Sequence, residues 1–103
     1  MGSEMCIRDS PYGASKGALD RIVISTAREL GPRGVSANVV NPGPIDTGWM
    51  DDDMRAALAA HHPLGRLGTP NDIAALTSFL LSDEGRWVSG QLLHADGGFS
   101  ARY

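Results

Sequence analysis

Only one cysteine, Cys6, occurs in the chain, so no internal disulfide can close. That usage suits a reducing compartment, and the cytoplasm is the expected location. Nowhere does an apolar run approach the ~20 residues of a membrane span, and no charged-then-apolar leader marks the start for secretion. Basic runs are missing too: Lys and Arg number 9 against 12 Asp and Glu, for a net charge of −3. A mildly acidic chain offers no electrostatic footprint for nucleic acid or an anionic membrane, and neither is an expected partner. Histidine is scarce. His61 and His62 are adjacent and point different ways, and His94 stands alone in an expected strand. Without His-x-x-x-His spacing or a second cysteine, no metal site is expected. Repeats, low-complexity tracts and linkers are also lacking, and 103 residues leave room for one small domain.

What is there reads as alternating helix and strand. Ser10 can cap a helix and Pro11 suits its first position, where no N–H bond is needed. Leu19, Ile22, Val23, Ala27 and Leu30 recur at helical spacing, so a helix is expected over Pro11 to Leu30 with those residues as its buried stripe. Gly31-Pro32-Arg33-Gly34 stops it. Val35 to Val40 is short, β-branched and bounded by turn residues, which predicts a buried parallel strand. Pro42, Gly43 and Pro44 then impose a rigid loop at the carboxyl end of that strand, where open α/β sheets bind ligands. Asn41 and Asp46 suit the turn itself, because both types bond locally to backbone.

Residues 51–60 read as a short helix with acids in its first turn and little apolar content, fit for a mobile lid. Thr69-Pro70-Asn71-Asp72 opens another helix, with Thr at the cap and Asp where a capping-box acid would stand. Ile73, Leu76, Thr77, Leu80 and Leu81 give that helix its expected core face, and Ser82-Asp83-Glu84-Gly85 ends it. Leu92 to Ala95 is the expected last strand, closed by Gly97-Gly98. This order fits parallel α/β units.

The chemistry concentrates in Pro11-Tyr12-Gly13-Ala14-Ser15-Lys16-Gly17. Tyr12 and Lys16 stand at i and i+4, so on a helix they share a face. A fixed ammonium favours the ionised form of a neighbouring phenol, which is the tuning that general acid–base work on an oxygen requires. By itself the pair is also an ordinary solvated surface pair. Three further segments follow it: Asn41-Pro42-Gly43-Pro44-Ile45-Asp46-Thr47, then Pro63-Leu64-Gly65-Arg66-Leu67-Gly68-Thr69-Pro70-Asn71-Asp72, then Gly90-Gln91-Leu92-Leu93-His94-Ala95-Asp96-Gly97-Gly98. In that order and at those intervals, the four segments resemble the C-terminal half of a short-chain dehydrogenase/reductase. The resemblance runs from Pro11 to about Phe99 and is greatest to the 3-oxoacyl-carrier-protein reductase type.

The resemblance implies the C-terminal portion of a Rossmann-like, doubly wound parallel sheet over residues 11–103, with the N-terminal half missing. It implies a hydride transfer between NAD or NADP and a small-molecule carbonyl or secondary alcohol. Tyr12 would be the general acid or base, and Lys16 would assist it and bind the nicotinamide ribose. Pro42 and Gly43 would let backbone approach the nicotinamide ring, Ile45 would offer backbone hydrogen bonds to its carboxamide, and Thr47 would add a hydroxyl. Trp49, Met50 and Met54 would line the substrate side of the lid, with plain packing as the competing reading. In the family the helix bearing the tyrosine packs on its counterpart, so a homo-oligomer, dimer or tetramer, is expected of the parent.

The family's Gly-rich cofactor turn, its catalytic serine and its NAD/NADP selector have no counterpart in the sequence. Residues 1–10 match nothing the family carries before its tyrosine and read as a foreign leader. The chain alone is therefore expected to be inactive.

Two other readings compete with this one. The chain can be a non-catalytic truncated remnant. Gly13-Ala14-Ser15-Lys16-Gly17 also matches Gly-x-Ser-x-Gly, the nucleophile elbow of serine hydrolases, with Asp72 or Asp83 and His94 following in triad order. An elbow requires a strand directly before its serine. Ser10-Pro11 stands there instead, with helical periodicity running through Ser15.

Overall fold

One long helix, α1, occupies Ser3–Leu30 of the computed structural model, which describes the backbone of residues 3–101 and the side chains of residues 10–101. Of the expected leader, the side chains of residues 1–9, Cys6 among them, lie outside the described residues. Ser10 and Pro11 do not start the helix as expected; Pro11 sits inside it. An interior proline forfeits one i→i−4 bond and crowds the preceding turn. The downstream end follows the sequence closely. A 3₁₀ turn over Gly31–Arg33 ends at Gly34 in the left-handed region (φ 79°), whose N–H reaches the Gly31 carbonyl at 2.9 Å.

Two parallel strands follow, β1 (Val39–Asn41) and β2 (Leu92–His94), and they pair with one another. The register is read from Val39 N–H to Gln91 O and Ala95 N–H to Asn41 O, both 2.9 Å, which advance in the same direction along both strands. The expected strand over Val35–Val40 is thus displaced toward its carboxyl end. Side chains take over from the ladder just before it. The Ser89 hydroxyl accepts from Ala37 N–H at 3.2 Å, and Asn38 Oδ1 accepts from Gln91 N–H at 3.1 Å. Ala37 O keeps one main-chain bond, from Gly90 N–H at 2.8 Å, but with the Ala37 and Gln91 N–H groups both spent on side chains the segment does not count as strand, although it runs beside its partner.

Between the strands lie α2 (Asp52–Ala60) and α3 (Pro70–Leu80). Asp51 caps α2 by accepting the Met54 N–H at 2.7 Å, with Asp52 and Asp53 in the first turn as expected. Thr69 and Asp72 form the complete capping box of α3, with Pro70 at its head.

The chain divides into two compact units: residues up to Val39 with Ser89–Leu92, and Val40–Val88 with the residues from Leu93 onward. In the first, only Ala27 of the expected α1 stripe is buried; Val23 and Leu30 are half-buried, and Leu19 and Ile22 are exposed. In the second, Met50 and Leu67 are buried, together with the polar His62 and Asp96. Ile73, Leu76 and Leu80 of α3 are half-buried as the periodicity implied, whereas Thr77 and Leu81 face outward. Periodicity marks which face is apolar. Burial also needs a neighbour to cover that face, which the periodicity does not report.

Candidate active site

Tyr12 and Lys16 stand on the same face of α1, one turn apart, with the Lys16 ammonium 5.5 Å from the centroid of the Tyr12 ring. That is cation–π distance. Tyr12 is 63% exposed, so its hydroxyl is open to a reactant. Ser15 lies between them and donates its hydroxyl back to the Tyr12 carbonyl at 2.8 Å, an ordinary helix back-bond. This geometry removes the hydrolase reading: Ser15 is in mid-helix with helix before it, and a nucleophile elbow cannot form there.

The second group of expected residues lies in the loop after β1. Its turns are built by the two residues singled out for that purpose: Asn41 Oδ1 accepts the Gly43 N–H at 3.1 Å, and Asp46 Oδ1 accepts the Gly48 N–H at 2.9 Å. Ile45 makes an isolated parallel bridge with Gly68. The bridge is carried by its neighbours, since Gly68 N–H donates to Pro44 O at 3.1 Å and Asp46 N–H to Gly68 O at 2.9 Å. In a parallel bridge this pattern directs the central residue's own N–H and C=O to the opposite side. Those two Ile45 groups are the donor and acceptor a carboxamide needs. Thr47 is exposed, and Pro42 and Gly43 are half-buried.

Gly43 is required here for a reason the sequence did not disclose. Its φ is +65°, and a Cβ built on it would lie 2.7 Å from the Asp96 Cβ. Its missing side chain makes room for Asp96, in addition to any room it leaves for a ligand.

Trp49 and Met54 are exposed, while Met50 is packed inside, so of the three lid residues only Met50 serves as plain packing. The helix α2, expected from the sequence as a mobile lid, is tethered at its start. The Arg55 fork pairs with Asp46 through Nε and with Asp52 at 2.8 Å, and donates to the Met50 carbonyl at 3.0 Å. The Arg55 guanidinium, followed by the Gly48 N–H, holds the Asp46 carboxyl below its usual range. Arg66 does the same more strongly for Asp72, with help from the Thr69 N–H.

Of the histidines, His62 is buried, stacks on Phe99 with centroids 5.7 Å apart, and accepts the Leu64 N–H at Nδ1 over 3.3 Å. His61 is exposed, as expected of adjacent residues pointing apart. His94 Nδ1 lies 3.4 Å from the Ser100 hydroxyl and 4.0 Å from Asp96. Asp96 and Ser100 went unremarked in the sequence beyond the Asp96-Gly97-Gly98 turn; the signal for them was an acid placed beside two glycines at a strand end.

Known proteins are similar to this chain in sequence and fold. The family profile described as "Enoyl-(Acyl carrier protein) reductase" matches residues 1–100. An uncharacterized oxidoreductase of Bacillus subtilis, YjdA, is 48% identical over 88 residues, which is 85% of this chain and 35% of that protein. The 3-oxoacyl-[acyl-carrier-protein] reductase FabG of Salmonella typhimurium is 43% identical over 90 residues, 84% of this chain and 37% of its own. Among solved structures, a blue fluorescent protein from a metagenomic library, in complex with NADPH, superposes with a TM-score of 0.77 at 46% identity, covering 87% of this chain and 37% of that one. The chain therefore spans little more than a third of the length of these relatives.

Proposed function

The chain belongs to the short-chain dehydrogenase/reductase family, and on that premise we propose that it supplies the proton-transfer and nicotinamide-facing part of an NAD(P)-dependent oxidoreductase. The reaction interconverts a small-molecule carbonyl and a secondary alcohol. The observation that carries this reading is the exposed Tyr12 phenol with the Lys16 ammonium over its ring on one helical face.

In the reductive direction Tyr12 gives its hydroxyl proton to the carbonyl oxygen, and in the oxidative direction its phenolate takes the alcohol's proton. Lys16 stabilises the phenolate that forms as Tyr12 gives up its proton in reduction and that must already stand there before oxidation, and it would reach the cofactor ribose. Ile45 N–H and C=O hold the carboxamide, Thr47 adds its hydroxyl, and Pro42 and Gly43 give the loop its shape. The residues present fit a nicotinamide, because both Ile45 backbone groups are left unspent by the Gly68 bridge. When bound, the cofactor would supply the hydride from its reduced form, NADH or NADPH, in the reductive direction and accept it in its oxidised form in the other. The same reading makes the working protein a cytoplasmic homo-oligomer, dimer or tetramer. Its support is the apolar flank of α1, where Leu19 and Ile22 are exposed.

The test is a chimaera in which this chain's matching segment replaces the 90 aligned residues of the Salmonella reductase. It is assayed with a short 3-oxoacyl thioester and with NADPH and NADH offered separately. Tyr12→Phe in that chimaera should lower turnover by roughly 10²-fold or more, the usual contribution of general acid–base catalysis, while cofactor binding survives. Unchanged turnover would end the assignment.

A further inference from the structure

Asp96 is 7% exposed, yet the chemistry above gives its carboxylate no part. Its carboxylate accepts three hydrogen bonds, all from one short stretch of chain, with His94 Nδ1 4.0 Å away. Oδ1 accepts the Gly98 N–H at 3.1 Å, and Oδ2 accepts both the Ser100 N–H at 3.1 Å and the Ser100 hydroxyl at 2.6 Å. The Ser100 hydroxyl leads in holding this carboxyl below its ordinary range, so the acceptor is the ionised form at neutral pH.

The stem of the same residue faces Gly43. A Cβ at Gly43 would lie 2.7 Å from the Asp96 Cβ, 3.6 Å from its Cα and 3.8 Å from its Cγ. The approach is fixed from two more directions, because Ala95 N–H donates to Asn41 O at 2.9 Å and Asn41 Oδ1 accepts the Gly43 N–H at 3.1 Å. Asp96 thus stands between the turn at residues 96–100, which its carboxylate holds, and the turn at Asn41–Gly43, which its stem backs.

We propose that Asp96 is a positioning residue for the Pro42–Thr47 loop: anchored by Gly98 and Ser100, it fixes the backing of Gly43 and so the place where Ile45 presents its N–H and C=O. The use of that loop rests on the function proposed above; the bracing does not. A residue that merely stabilised its own turn would leave the far loop unaffected, and this separates the two roles.

The experiment is residue-resolved amide hydrogen exchange on the 103-residue chain without cofactor. Three amides report on the loop: Gly43, Asp46 and Gly48, each bonded in the structure. In Asp96→Ala all three should exchange at least fivefold faster, along with the Gly98 and Ser100 amides, while those of α3 keep their wild-type rates. Acceleration at Gly98 and Ser100 with the loop amides unchanged would overturn the proposal. Should Asp96→Ala lose protection across α3 as well, Ser100→Ala decides. It deletes one donor and leaves the carboxylate and both backbone bonds, so a twofold or larger acceleration at Gly43 supports the brace and its absence overturns it. In the chimaera, Asp96→Ala should raise the KM for the nicotinamide cofactor about fivefold and leave that for the thioester unchanged. An inactive chimaera would count against the proposed function, and the exchange result would still decide the brace.

Discussion

The two units of this chain are held by different means. The first is dominated by α1, 28 residues long, of which Ala27 alone is buried among the described side chains. Its Tyr12 and Lys16 are placed by helix geometry alone, and exposed Ser15 and half-buried Thr26 spend their hydroxyls on α1's own carbonyls. The second unit has short helices and long connections, and it is knitted by side chains acting on backbone. Asn41, Asp46, Asp51, Thr69 and Asp96 each accept a main-chain N–H within a few residues of themselves. A helix can carry a chemical pair with no core beneath it. A loop that must present two backbone groups needs a brace on every side.

The contrast predicts opposite sensitivities, most strongly in the apolar residues. Leu67 is 6% exposed in the second unit, whereas Ile22 is 63% exposed in the first. Leu67→Ala should cost about 2–5 kcal/mol in urea denaturation, from lost transfer energy plus a cavity. Ile22→Ala should change the stability of the chain by less than about 0.5 kcal/mol, as surface substitutions do. Equal costs would mean that α1's apolar face is covered in solution.

Glycine substitutions sharpen the same comparison. Gly43→Ala forces a Cβ into the space of Asp96 at a φ of +65°, and overpacking with a left-handed backbone should cost roughly 2–4 kcal/mol. Gly17, in the middle of α1, has nothing within 4 Å of where a Cβ would stand. Gly17→Ala should therefore stabilise the helix by up to about 1 kcal/mol. Circular dichroism melts of the two variants should move in opposite directions; movement in the same direction would show that the two units do not differ as described.

What could be read from the sequence follows the same division. The capping box at Thr69–Asp72, the acids opening α2, the turns made by Asn41 and Asp46, and the glycine stop after α1 are all local chemistry, and each was legible. Tyr12 and Lys16 came together because i and i+4 always do on a helix. Longer-range facts were not legible. Pro11 signals a helix start only if the residues before it decline the helix, and they do not. Val35–Asn38 has strand composition, but Ser89 and Asn38 side chains replace two of its ladder bonds and leave one main-chain bond, Gly90 N–H to Ala37 O, and nothing in these four residues announces a partner about 50 positions away. Asp96 behind Gly43 is a contact of the same kind: each residue has a sufficient local explanation, so neither points to the other.

The smallest expected effect is electrostatic and belongs to the second unit. Arg66 grips Asp72 with two hydrogen bonds, at 2.7 and 3.1 Å, and holds its carboxyl well below the usual carboxylate range. A carboxyl depressed in the folded state binds fewer protons there than in the unfolded chain, so its contribution is complete above the ordinary value of about 4 and fades as pH falls through the folded one. Asp46 and Asp96 are shifted in the same direction and add to the same acid-side loss. The urea midpoint should hold level from pH 7 to 5 and then fall below about pH 4. Asp72→Asn should lower the midpoint at pH 7 and make the acid-side fall shallower, by an amount that shrinks in 0.5 M salt because Arg66 is largely exposed. If the variant falls as steeply as the wild type, the ion pair does not couple to folding, and the backbone bonds of the cap alone hold the start of α3.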